Sequence, residues 1–83
     1  MKYRAKIEVS LKPGHSDPEG ETSARLLKEL GYNVDSVNVS KVYKIIIESN
    51  SAEAANAKAE EMAKRLLANP TKDNYTINVV ENK

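Results

Sequence analysis

The chain has no cysteine, phenylalanine or tryptophan, only three glycines and three prolines, and almost no net charge. Each shortage excludes something. Without cysteine there is no disulfide framework and no thiolate site, which fits a reducing compartment. Thirteen Lys and Arg against 12 Asp and Glu leave a formal charge of +1, not the clustered basic excess that nucleic-acid binding needs. No apolar run approaches the roughly 20 residues of a membrane span. The N-terminus lacks the basic, apolar, small-residue order of a signal peptide. These exclusions leave a globular protein expected in the cytoplasm, with neither nucleic acid nor membrane as partner. At 83 residues, one domain spanning 1–83 is expected. A domain this short buries only about 60% of the surface of its unfolded chain. Without staples it commonly leans on a second copy or another partner.

What is present is periodicity. Tyr3, Ala5, Ile7, Val9 and Leu11 alternate with Arg4, Lys6, Glu8 and Ser10, the period of a strand with one buried face. Leu26, Leu27 and Leu30, with Ser23, make a helical stripe over 18–30 that Gly31 ends. Val37 and Val39 start a second strand, Ser40-Lys41 connects, and a third runs from Val42 to Glu48. Within it Ile45-Ile46-Ile47 offers apolar groups to both sheet faces. Asn50 and Ser51 suit a helix cap, and Asn50 with Glu53 has capping-box spacing. Ala55, Ala59, Met62, Ala63, Leu66 and Leu67 then line a second helix over 52–68, stopped by Asn69-Pro70. Tyr75, Ile77 and Val79 mark a last strand.

The expected fold is therefore α+β, ordered β-α-β-β-α-β, with a four-stranded antiparallel sheet and both helices on one face, ferredoxin-like. Its expected core holds Ile7, Val9, Leu26, Leu27, Leu30, Ile45, Met62, Leu66 and Ile77. The other sheet face would show Arg4, Lys6 and Glu8 beside Val42, Lys44, Ile46 and Glu48, with Val80 joining them. A contiguous apolar patch there would suggest a partner, and self-association through this face or through strand edges is expected.

No catalytic constellation emerges. His15 is the only histidine, and a metal site needs several ligands, so an exposed loop position is its expected role. There is no G-x-S-x-G elbow, P-loop or G-x-G-x-x-G. Glu60, Glu61, Lys58, Lys64 and Arg65 read as the solvated face of the second helix, Glu60 supporting Lys64 at i,i+4. An RNA reader of this architecture would stack bases on sheet aromatics, but Tyr3 and Tyr43 fall on the core side. A small-molecule-binding regulatory domain acting as a homodimer is the stronger alternative. For this chain no catalytic, cofactor-binding or metal-ligating residue is assigned.

The segment LKPGHSDPEGET, Leu11 to Thr22, is the most elaborate local feature. Pro13 and Gly14 suit a turn, Asp17 a helix N-cap, and Pro18 the first helical position, where a missing N–H costs nothing. Gly20 is not accounted for this way, since glycine inside a helix costs about 0.5–1 kcal/mol against alanine. Two readings of it stand: frayed first-turn geometry, or room for another subunit's backbone, a carboxylate or an anion. On the second, Gln at position 20 would leave the fold intact or slightly firmer and block docking.

This segment resembles the pattern L-K-P-G-x-x-D-P-Q/E-G-x-S/T of the PurS family, the small subunits of phosphoribosylformylglycinamidine synthase. LGY at Leu30–Tyr32, SKVYKI after a Val-x-Val run, and LLANP at Leu66–Pro70 follow in the family's order. Ser40 stands where the family usually has glycine, Thr71-Lys72 where it tends to be apolar, and His15-Ser16 in a loop often apolar in relatives. The resemblance implies a PurS-like fold and a non-catalytic subunit of the purine-biosynthetic enzyme, itself usually a homodimer. It would bridge a large ATP-dependent synthetase subunit and a glutaminase subunit for glutamine-dependent amidine formation. ATP and Mg would belong to the full complex and no cofactor to this chain. The resemblance and the turn together make Lys12, Pro13, Gly14, Asp17, Pro18, Gly20, Lys41, Asn69 and Pro70 the candidate docking residues.

Overall fold

Strand β1 (Lys2–Leu11) runs through the middle of the molecule, buried at Tyr3, Ala5, Ile7 and Val9 and exposed at the residues between. The structure is a computed structural model that describes all of residues 1–83. A turn with Gly14 at φ 90° leads into helix α1 (Pro18–Glu29). Strand β2 (Lys41–Glu48), helix α2 (Ala52–Met62) and strand β3 (Asp73–Glu81) follow. Both outer strands pair antiparallel with β1, in the order β2-β1-β3. Val9 faces Lys41 on one side and Tyr75 on the other, and Leu11 faces Asp73.

The sheet therefore has three strands and not the expected four. Val37–Val39 is loop. Both edges of β1 are already taken by β2 and β3, and Val39 N–H is instead held by the carboxylate of Asp17 at 2.8 Å. The outer edges of β2 and β3 stay open, but the Val37–Val39 backbone lies against the start of α1 instead, at Asp17 and Gly20.

α1 ends as its sequence predicts. Gly31 takes φ 99°. Its N–H donates to Lys28 O at 3.0 Å, and Tyr32 N–H donates to Leu27 O at 3.0 Å, the paired bonds of a Schellman cap. At α2 the expected Asn50–Glu53 box does not form. Ser51 is the cap, and its Oγ accepts the Ala54 N–H at 3.1 Å.

α2 packs on β1 and β3, whereas α1 has no substantial packing against any strand. The core accordingly sits between α2 and the sheet: Ala5, Ile7, Val9 and Ile47 meet Ala59, Ala63 and Ala68. Ile45, Met62 and Ile77 border it as expected. The four expected core leucines do not join it: Leu26 is 46%, Leu30 74% and Leu66 83% exposed, and Leu27 is half-buried outside the cluster. For Leu26 and Leu30 the cause is the missing sheet contact of α1. For Leu66 it is a π-helical turn over Ala63–Leu67, closed by Ala68 N–H to Ala63 O at 2.9 Å. The buried stripe Ala55, Ala59, Ala63 steps by four, then by five to Ala68. The extra residue of the π turn keeps small Ala68 against the sheet and turns Leu66 outward.

Candidate functional site: the end of the sheet that carries the turns

The candidate docking residues lie far apart in sequence, and the sheet register collects them at one end. β1 leaves the sheet at Leu11, opposite the start of β3, and β2 begins at Lys41 opposite Val9. Lys12 ties two turns together. Its N–H donates to Lys72 O at 2.7 Å, and its Nζ donates to Pro70 O at 3.0 Å. The β1 exit turn and the Asn69–Asp73 turn thus form one continuous surface on which Pro13, Gly14, Asn69 and Pro70 are exposed. Asn69 organises its own side of it. Its Oδ1 accepts Thr71 N–H at 2.9 Å, and its N–H donates to Asp73 Oδ2 at 2.8 Å.

Asp17 closes the other half. One carboxylate oxygen accepts Gly20 N–H at 2.9 Å, the bond of an N-cap, and the other accepts Val39 N–H at 2.8 Å. Two N–H donors on a carboxylate favour its ionised form, and the bonds from Val39 and then Gly20 hold the Asp17 carboxyl below its ordinary value. Asp17 thereby fastens the 37–39 loop to the start of α1.

Gly20 is the one buried residue of α1. A Cβ there would run into the carbonyl oxygen of Val37 and stand 2.7 Å from Asp17 Oδ2. The close approach that glycine permits is made by this chain's own loop. Gln at position 20 is therefore not the neutral change that the sequence suggested, because it would collide with backbone inside the fold.

The residues that depart from the family pattern are accommodated. Ser40 has no positive φ, and its Oγ donates to Glu8 Oε2 at 3.3 Å. At Thr71 and Lys72 the backbone carries the turn bonds, through Thr71 N–H and Lys72 O. His15 is exposed, its N–H donating to Lys12 O at 3.3 Å.

One polar contact escaped the sequence reading. Glu60, on the helix face expected to be solvated, accepts Tyr75 O–H at 2.8 Å and so links α2 to β3. The hydrogen bond to Glu60, then desolvation and the carboxylate's charge, push the Tyr75 phenol up. No periodicity signals a pair this far apart. The expected Glu60–Lys64 pair is present at 3.9 Å, beside Glu61–Arg65 at 3.4 Å.

Comparison with known proteins matches this architecture. Residues 4–81 fit the family model described as PurS, phosphoribosylformylglycinamidine (FGAM) synthase. The chain is 42% identical over 78 residues to the phosphoribosylformylglycinamidine synthase subunit PurS of Methanocaldococcus jannaschii, covering 93% of this chain and 94% of that one. It superposes on Thermus thermophilus PurS with a TM-score of 0.90 at 34% identity, over 100% of both chains. It also superposes on a chain of the PurLQS structure from Thermotoga maritima with a TM-score of 0.87 at 26% identity, over 96% of this chain and 99% of that one. With a family model fitted along residues 4–81 and relatives matched nearly end to end, the chain belongs to the PurS family of phosphoribosylformylglycinamidine synthase subunits.

Proposed function

We propose that residues 1–83 act as one non-catalytic scaffold unit that docks the other subunits of phosphoribosylformylglycinamidine synthase through the turn-bearing end of its sheet. The chain is a subunit of that ligase in purine biosynthesis. The superposition on a chain of PurLQS supports docking to a synthetase and a glutaminase subunit. The observation that carries the choice of surface is the Lys12 bridge: family-pattern segments 58 residues apart are joined by its bond to Pro70 O at one exposed end. ATP, Mg and glutamine are handled in the complex, in the cytoplasm, by the partner subunits.

We further infer that the working form is a homo-oligomer. α1 exposes Leu26 and Leu30, and α2 and its π turn expose Leu66 beside Ile45, Met62 and Leu67 in an apolar groove. A helix with an unburied stripe and a groove without a helix, on one chain, complement each other across two copies.

The test is reconstitution with Mg, ATP and glutamine present. All three subunits together should form a complex that makes the amidine from glutamine. Omitting this chain should abolish the glutamine-dependent rate while the synthetase still uses ammonia at high concentration. A full glutamine-dependent rate without this chain would reject the scaffold role. Turnover by this chain alone would reject its non-catalytic assignment.

A further inference from the structure

The sheet face turned away from α2 carries a charge arrangement that the fold itself does not need. Lys6 on the central strand stands directly opposite Lys44 on β2, and both are exposed. Like charges directly across an antiparallel pair are destabilising. Neither ammonium has a carboxylate within ion-pairing distance; the chain's four ion pairs lie elsewhere. One step along β1, Arg4 lies between Ile46 and Val80, and its only side-chain partner is Asn82 Oδ1 at 3.2 Å. Ile46 and Val80 are each about half exposed, at 51% and 49%. The centre of the face is therefore three cations set among aliphatic side chains.

Across the whole face the cations Lys2, Arg4, Lys6 and Lys44 outnumber the carboxylates Glu8 and Glu48. Glu48 lies opposite Lys2 and is already paired with the amino terminus at 3.2 Å. Glu8 accepts from Ser40. Glu8 keeps its charge but forms no ion pair with either lysine, so the face retains an excess of cations at Lys6 and Lys44. A second copy stacked on the same face would bring an equal positive excess, so the stacked pair would still carry net positive charge. Single-stranded nucleic acid would want aromatic stacking platforms, and Tyr3 and Tyr43 point to the opposite face. None of the chain's main clefts is lined by Arg4, Lys6 or Lys44, so a small anion would lack the enclosure a site gives.

Building on the scaffold reading above, we propose that this open face is a second docking surface, separate from the turns. Its occupant is an acidic protein surface on another subunit of the same enzyme. That surface would set carboxylates over Lys6, Lys44 and Arg4 and aliphatic groups over Ile46 and Val80. Docking neutralises the Lys6–Lys44 repulsion, so the pair acts as a reporter of the partner.

Lys6→Glu separates docking from folding, because it turns a repulsive cross-strand pair into an attractive one. The variant should melt no lower than the parent and keep its homo-oligomeric state. Its affinity for the isolated partner subunits, measured by calorimetry with Mg, ADP and glutamine present, should fall about tenfold or more. Lys44→Glu should do the same, which guards against a local misfold in one variant. Parent affinity should also fall steeply as NaCl rises from about 50 to 500 mM. Binding by both variants within about twofold of the parent would overturn the proposal and leave the scaffold reading standing. An RNA oligonucleotide that the parent binds and the variants lose, with subunit binding unchanged, would overturn it in favour of nucleic acid. If the parent binds no subunit at all, both readings fall together.

Discussion

At the scale of single residues, Asp17 and Gly20 act as one device. Glycine lets the Val37 carbonyl come in close, and the carboxylate holds the neighbouring Val39 N–H at 2.8 Å. Gly20→Gln should therefore destabilise the chain. Overpacking costs about 1–3 kcal/mol, more than the roughly 0.5–1 kcal/mol that Gln gains over Gly in a helix. A lowered midpoint in urea, with an unchanged slope, is the expected result; a midpoint at or above the parent's would show that the loop moves aside freely. Asp17 adds a pH dependence. Its folded pKa lies below the ordinary 3.8, so its contribution is complete above that value and disappears as the pH falls through 3.8 toward the folded pKa. Asp17→Asn should be less stable than the parent by a constant margin at neutral and mildly acidic pH. The margin should close below 3.8. A margin that persists unchanged in stronger acid would mean that the carboxylate charge is not its source. Asp17 as a cap was legible in the sequence because capping is local; its second bond, 22 residues away, was not.

At the scale of elements, the sequence was read correctly wherever a pattern and its boundary signals were local. β1, β3, the two helices, the Gly31 stop and the Asn69-Pro70 break are all in place. Two of the errors show their physical origin most directly. Val37–Val39 has strand composition, but Asp17 draws its backbone to the start of α1 and not to an open sheet edge. Leu66 sits where a period of 3.6 puts it on the buried stripe, but the π turn over Ala63–Leu67 resets the count. The alanines at 55, 59, 63 and 68 show why that reset is favoured: small side chains let α2 approach the sheet closely, and a leucine at the contact would hold it off.

At the scale of the whole molecule, the single chain is longer and thinner than its size implies. Its radius of gyration is 16.3 Å and its extents are 51 × 30 × 14 Å, against about 12 Å expected for a compact chain of this length. α1 off the sheet accounts for this. The expected remedy is a second copy that covers Leu26, Leu30 and the Leu66 groove, so sedimentation at micromolar concentration should show a dimer or larger. Leu66→Ala tests the same surface. On a lone chain, a residue 83% exposed should matter by no more than about 0.5 kcal/mol. In a dimer interface its loss should shift the equilibrium toward monomer by about 1–3 kcal/mol, seen as a higher dissociation constant. A parent chain that sediments as a monomer, or a variant with unaltered association, would remove the groove from the interface.

By itself the sequence determined the two helices and the strands β1, β2 and β3, where the helices stop, and which family the chain belongs to. Those properties rest on side-chain period, caps and turn residues acting over a few positions. Only the tertiary structure decided that the sheet has three strands, that α1 stands free of it, and that Gly20 answers to Val37. It also decided that Lys6 faces Lys44 and that Tyr75 bonds Glu60. Each of these depends on strand register or on contact between segments distant along the chain, and local patterning carries no term for which of several apolar or charged segments will become neighbours.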